Sequence, residues 1–446
     1  MDIIKKDSAA DKTQLAHWAQ KYALKQGADD VSIVISRNRS INVDFRDEQI
    51  DKLKESTQNS LWIEIFSDGR YSTHSTNDLR RESLEKFISD AITMTKFLGE
   101  DPYQALPDPS LYKGRPAIDL ELYDTNYTGV TPEDRVARAR ELHDLIKGRD
   151  DRIISISSGF SDSHYENTHL KSNGFEGNYE SSSFSWGASV SLRGENDKKP
   201  EGWRYYGARH LGDLPPAPQI AGEAFQRALD SMGQQKVKSG KMPMLLENSA
   251  AGGLFWRVLY PFTANAIQQK QSFLEGMQGE RIGSEHLTLI DNPVIVRGLG
   301  SRYYDGDGIA AKKLVLVEEG VLKNYYVDVY YGRKLGMQPT TGGSSNVTFK
   351  TGTRSGAEME ADLDRGILVT GFIGGNANST TGDFSLGVSG WLIEKGKRTQ
   401  PVSEMNISGN FIELFGSLVE TGNDPYTYSS LRSPSLLFDG VSFAGN

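Results

Sequence analysis

The sequence predicts an α+β protein of two units. In the first, residues 1–232, antiparallel sheets carry helices on one face; the second, residues 233–446, is a β-rich domain, barrel-like or sandwich-like. Two observations lead there. In the first half, helical apolar periodicity brackets runs that alternate apolar and polar residues, and strands that follow one another between helices pair antiparallel. In the second half, glycine becomes frequent and the apolar runs become short, as in curved β domains with tight turns.

The 446 residues suffice for two or three domains, and 37% hydrophobic with 24% charged residues suits a globular chain with a sizeable core. The formal net charge is −9, from 50 basic and 59 acidic residues. That balance speaks against direct nucleic-acid binding, which needs clustered Lys and Arg against phosphates. No apolar run approaches the ~20 residues of a membrane span, and the start, Met1-Asp-Ile-Ile-Lys-Lys6, lacks the apolar core of a secretory signal. With no cysteine in the chain, neither disulfides nor thiolate metal ligands are available. A cytoplasmic protein is expected.

The first unit divides into sub-parts at about 1–100 and 120–232. Leu15, Trp18, Ala19 and Tyr22 share a helical face over 11–27, with Asp11 and Gln14 spaced as a capping box and Gly27 as the stop. Val31, Ile33 and Ile35 alternate as a strand, as do Ile41, Val43 and Phe45, with Arg37–Ser40 read as a polar turn between them. Leu61, Ile63 and Ile65 give another strand, and Asp68-Gly69 a tight turn. Leu84, Phe87, Ile88, Ala91, Thr95 and Leu98 mark a helix ended by Gly99, and the proline-rich stretch 100–130 reads as a connector. Thr131-Pro-Glu-Asp134 opens a helix with a capping hydroxyl, a first-turn proline and acids at the positive end of the dipole. Strands are predicted over 153–160, 165–172, 183–192 and 203–210, then a helix introduced by Pro215, Pro216 and Pro218. The order of elements echoes the first hundred residues, without a sequence repeat.

In the second unit a helix is predicted from Ser249, kinked at Pro261. Strands over 313–317 and 321–327 flank the turn Glu318-Glu-Gly320, and 384–389 and 391–394 precede the turn Lys395-Gly396. Asp305-Gly-Asp-Gly308 lacks the further ligands and closing glutamate of a calcium loop and reads as a turn. His164 and His169, five apart in a strand, point to opposite faces. Glu285-His286 has no partner in sequence, and one or more of Trp256, Tyr260 and Phe262 belong to the core. Gly371–Asn376 lacks the Gly-Lys-Ser/Thr ending of a phosphate loop; Gly374, Gly375 and Asn376 are candidates for a turn lining a peptide groove.

The stretch Met244-Leu-Leu-Glu-Asn-Ser-Ala-Ala-Gly-Gly-Leu-Phe-Trp-Arg257 runs from an apolar strand into a helix. It resembles the point in the TldD/PmbA family where a zinc-protease helix begins. The resemblance extends through Asp291-Asn-Pro293, Asp305–Gly308, Glu319–Lys323, Gly371–Asn376 with Ser379–Phe384, and Ser433–Phe438, clear over about 240–446 and weaker before. Catalytic members carry His-Glu-x-x-x-His followed by Gly-Leu. Here Glu247 and Gly252 stand where the histidines would be and Asn248 where the glutamate would be, with Gly253-Leu254 in register. The family's third ligand is a cysteine. The resemblance is therefore to the PmbA-like (TldE-like) branch, without a metal site.

A catalytic zinc needs three protein ligands, an open position for water and a nearby base. The resemblance thus implies a non-catalytic subunit that pairs with a zinc-bearing TldD-like homologue to act on peptides, in proteolysis or precursor processing. No cofactor is expected in this chain. A homodimer is expected when the partner is absent. The alternative the resemblance offers is a regulatory protein-binding role as a modulator of DNA gyrase.

Overall fold

A computed structural model describes residues 9–446; the chain start read above for a secretory signal lies outside them. The first unit contains α1 (Ala9–Lys25), β1 (Asp30–Arg46), β2 (Gln49–Ser67), β3 (Arg70–Thr76), α2 (Arg81–Thr95), α3 (Pro132–Ile146), β4 (Ile153–Lys171), β5 (Glu176–Leu192), β6 (Glu201–Ala208) and α4 (Ala217–Asp230). The strands form one antiparallel sheet in the order β3-β2-β1-β4-β5-β6. Two helix–three-strand–helix halves are thus joined along β1 and β4. All four helices lie on one face. Val31, Ile33 and Ile35 of β1 pack under α1 and α2, while Val43 and Phe45, on the same side of that strand, pack under α3.

Several boundaries differ from expectation. Arg37–Ser40 is not a turn but the middle of a 17-residue strand, paired with β2 on one side and β4 on the other. Likewise 153–160 and 165–172 are one strand of 19 residues. These stretches are polar because the second sheet face is partly open to water and because charges are paired on the helix face. Ser36 meets Ser60 and Ser163 meets Ser183 through their hydroxyls, and Arg37 faces Glu166. The hairpin turn falls instead at Asp47 and Glu48, both at positive φ, as is Asp68 before Gly69. The first helix begins by Ala9, so Asp11 lies inside its first turn, and α2 ends at Thr95, ahead of Gly99. At α3 the expected N-terminus is present: Thr131 and Asp134 form a reciprocal capping box.

α3 is fastened to the sheet by a buried charge pair. Arg135 donates from Nε to Asp162 Oδ2 at 2.6 Å and from Nη2 to Oδ1 at 3.1 Å, and the Tyr127 hydroxyl donates to Oδ1 at 2.6 Å. The two charged side chains are 2% and 0% exposed, so each is tolerable only because the other is present.

The second unit comprises β7 (Gly240–Leu246), α5 (Gly252–Leu259), α6 (Ala264–Gln268), β8 (Leu289–Asp291), β9 (Leu314–Glu318), β10 (Val321–Leu322), α7 (Val329–Leu335), β11 (Val347–Phe349), α8 (Gly356–Asp362), β12 (Arg365–Ala377), β13 (Asp383–Glu394), β14 (Lys397–Asn410), α9 (Phe411–Gly416), β15 (Leu418–Thr421), β16 (Leu431–Arg432) and β17 (Leu436–Ala444). Strands β14-β13-β12-β7-β17 close into a barrel through the β14–β17 pairing, with β15 beside β17; a smaller sheet runs β10-β9-β8-β11-β16. The predicted turns at Glu319-Gly320 and Lys395-Gly396 are present, each with both residues at positive φ. The helix expected from Ser249 starts at Gly252. At Pro261 it breaks into a 3-10 turn, Tyr260–Phe262, instead of kinking. The strands expected at 384–389 and 391–394 are one, β13.

The connector is strapped between the units. Arg333 donates to the carbonyls of Tyr103, Ala105 and Leu106, and the Tyr330 hydroxyl to Asp101. Tyr304 lies so close to Gly177 of β5 that a Cβ there would sit 2.5 Å from the ring. The loop carrying Tyr304 is fixed by Asp305, which accepts from the Asp307 and Ile309 amides and from Thr341 and Gly342; the turn reading of Asp305–Gly308 stands. Among the described residues no helix is long and apolar enough to cross a membrane.

Two outcomes follow from this packing. Asp162→Ala strands the Arg135 guanidinium and should cost about 3–5 kcal/mol, read as a lower urea midpoint. Asp307, beside Asp305 where the units meet, has its carboxyl pushed up from 3.8 to about 6, by burial first and then by the Asp305 charge. A folded pKa above the unfolded one gives stability that is full below the unfolded value and is lost as pH rises through about 6. Asp307→Asn should therefore gain stability relative to the parent between about pH 4 and pH 7. Unfolding curves across that range that stay parallel would contradict this.

Candidate functional site

β7, the turn 247–251 and α5 bring the singled-out residues to the side of a cleft of about 900 Å³ between the two units. Leu245 and Leu246 pair with Leu368 and Val369 of β12, so β7 is held in the barrel wall until Glu247. There the Glu247 amide donates to the Val369 carbonyl at 3.0 Å, while its own carbonyl accepts from Ala250 and Ala251. This tight turn projects the Glu247 side chain into the cleft.

Glu247 does not stand free. Arg227, near the end of α4 in the other unit, donates from Nη2 to both carboxylate oxygens at 2.7 and 2.9 Å and approaches Ser249 Oγ at 3.4 Å. The Asn248 amide donates to the Asp424 carbonyl at 2.7 Å. The Asp424 carboxylate in turn accepts from the amide and hydroxyl of Ser435 and from the Gly356 amide. Gly252 lies under Trp256, where an added Cβ would be 3.3 Å from the indole nitrogen. At Gly253 a Cβ would be 2.4 Å from the Phe372 ring, so only glycine allows β12 and α5 to approach this closely. Of the aromatic trio, Phe262 is fully buried, while Trp256 on α5 and Tyr260 at the start of the 3-10 turn are exposed.

The wider cleft follows the same rule of paired charge. Arg398 grips Glu360 with two hydrogen bonds, which hold its guanidinium above the ordinary value, and Arg204 Nε lies 2.8 Å from Glu223. Thr370–Ile373 of β12 line one side, and Trp203 and Tyr205 of β6 line the other. Beyond Val369, β12 is paired only with β13, so a strand edge faces this space.

Gly374, Gly375 and Asn376 lie in β12 and not in a loop. Gly374 and Gly375 have φ of +131° and +109° just after a bulge between Phe372 and Gly374, and at Gly375 a Cβ would be 2.2 Å from the Ser385 carbonyl oxygen. They lie beyond the part of β12 that lines the cleft; Asn376 lines a separate shallow depression with Asp383 and Phe384.

The residues at 247, 248 and 252 do not fit a zinc ion. They offer one carboxylate, already bound to a guanidinium, and no imidazole or thiolate, whereas such a site needs three ligands. Elsewhere among the described residues, His164, Glu166 and Glu180 bring potential ligand atoms within 4.8 Å of one another. Glu166 is paired with Lys12 and Arg37, however, so this group is an ion-pair network on the helix face of the sheet. His169, on the opposite face of β4, is buried against Phe175 and Ser32 Oγ, and burial pushes its pKa down to about 3. Glu285 and His286 are exposed.

Sequence reasoning missed Arg227, Asp424 and Phe372, which complete the cleft. Arg227 reads as one more charge on an amphipathic helix, and its partner is 20 residues away across a unit boundary.

Family comparison covers most of the chain. Models of PmbA/TldA metallopeptidase domain 1, central domain and C-terminal domain match residues 31–95, 126–232 and 239–445. Metalloprotease PmbA of Escherichia coli O157:H7 is 25% identical, over 94% of this chain and 93% of that protein. A Bacteroides thetaiotaomicron crystal structure, described as a candidate modulator of DNA gyrase, is 40% identical with TM-score 0.95, over 99% of this chain and 100% of that one. TldE of Thermococcus kodakarensis shares the fold at 23% identity, with TM-score 0.84 over 97% and 100%. The chain belongs to the PmbA/TldD metallopeptidase family.

Proposed function

We propose that this chain is a PmbA/TldE-like subunit without catalysis of its own, which pairs with a zinc-bearing TldD-like homologue to act on peptides in proteolysis or precursor processing. One observation carries the reading: the only metal-binding side chain at the degenerate positions, Glu247, is taken by Arg227. Peptide chemistry is supported by the metalloprotease name of the curated relative and by the strand edge of β12 on the cleft. Main-chain hydrogen bonds from such an edge hold extended peptides with little regard to sequence. Zinc and the base belong, in this reading, to the partner. The chain works in the cytoplasm, as part of a heterodimer.

A second reading, regulation of DNA gyrase through protein contact, is favoured by the description of the 40% identical Bacteroides structure. The net charge of −9 gives it no support as a direct DNA-binding activity. A supercoiling assay with added chain separates it from the first.

The isolated chain should leave a fluorogenic peptide intact, and mixing with a catalytic homologue should give cleavage that a chelator abolishes. Chelator-sensitive cleavage by the isolated chain would refute the subunit reading. The triple change Glu247→His, Asn248→Glu, Gly252→His should stay below about 1% of the mixed activity, because two imidazoles leave the third ligand missing. Alone, the chain should run as a homodimer in light scattering, since a surface shaped for a homologous subunit can meet its own copy; a monomer at micromolar concentration would contradict that.

A further inference from the structure

Arg227 keeps unused capacity. All its side-chain hydrogen bonds come from Nη2, and among the described residues Nε and Nη1 make none. The side chain is 25% exposed and lines the cleft. Glu247, whose amide is bonded to Val369, ties the guanidinium to the start of the free β12 edge at Thr370. Arg227 and the edge residues Thr370–Ile373 line the same cleft, so a strand laid along that edge shares the cleft with the guanidinium.

Charge decides which part of a peptide can do so. Arg227 and Glu247 together are neutral, and the neighbouring arginines are matched by Glu360 and Glu223. A carboxylate brought to Arg227 would lie beside the Glu247 carboxylate and meet like-charge repulsion. A backbone carbonyl carries no charge and escapes it. The exposed rings of Trp203 and Tyr205 and the side chain of Ile373 offer apolar surface without selecting a charge.

We propose that the degenerate site is a peptide-holding site of this chain's own, in which Arg227 anchors a main-chain carbonyl of an extended peptide and Glu247 excludes free C-termini. This rests on the peptide reading above. The site holds a peptide interior and releases it uncut.

The test is fluorescence anisotropy on the isolated full-length chain. The probes are a dye-labelled tripeptide of alanine and valine, as carboxamide and as free acid, and an uncharged decapeptide blocked at both ends. The carboxamide should bind at least about fivefold more tightly than the acid, and Glu247→Gln should remove that preference. Arg227→Met should weaken the decapeptide about tenfold, the size of one charge-assisted hydrogen bond. Arg227→Lys, which keeps the ion pair with Glu247, guards against loss of fold and should fall between the two. A free acid bound as tightly as the amide would overturn the assignment, as would a decapeptide affinity indifferent to Arg227→Met. Absence of peptide binding by the isolated chain would also overturn it. The subunit reading is judged separately, by zinc-dependent cleavage in the mixture.

Discussion

The pairing of β1 with β4 is the constraint from which the arrangement of this protein follows. It fuses two helix–strand–helix halves into one sheet and puts all four helices on one side. It also sends β6 and α4 to an outer edge, next to the start of the barrel. From that edge Arg227 reaches Glu247, and the cleft comes to lie between the units. The seam tolerates polar residues along its length because its charges are answered locally: Arg135 and Tyr127 on Asp162, Lys12 and Arg37 on Glu166.

Within the cleft, the stretch 247–253 is closely packed and paired. A guanidinium faces the Glu247 carboxylate, an indole covers Gly252, and the Phe372 ring fills the space above Gly253. A buried or half-buried carboxylate without a partner would be costly, and Arg227 supplies the positive charge beside Glu247. The cleft has the shape of a groove, with a strand edge and aromatic walls. Such a groove is what the proposed role, a subunit that holds polypeptide while a homologue cuts it, requires.

Much of the fold was legible from local pattern. The Thr131 capping box, the glycine turns at 320 and 396, and the alternation of Val31, Ile33 and Ile35 each has a short-range physical cause. Strand length was not legible. The stretch Arg37–Ser40 looks like a turn unless one knows that Asn38 and Ser40 lie on the partly wet face of the sheet, and that depends on tertiary structure. Glu247, Asn248 and Gly252 could be singled out because they sit in one contiguous stretch. Their partners could not: Arg227, Asp424 and Phe372 are brought in from three other elements, and no spacing in the chain announces them. The echo between the two N-terminal halves was visible in element order, and only the sheet shows them as structural counterparts.

The central claim is that this chain contributes no metal to a peptidase that depends on one. Zinc counted per polypeptide in the purified assembly with a catalytic homologue tests it directly. The account predicts one zinc for every two chains, unchanged when Glu247 is replaced by glutamine. Two zinc ions per pair, with one lost on that replacement, would contradict it.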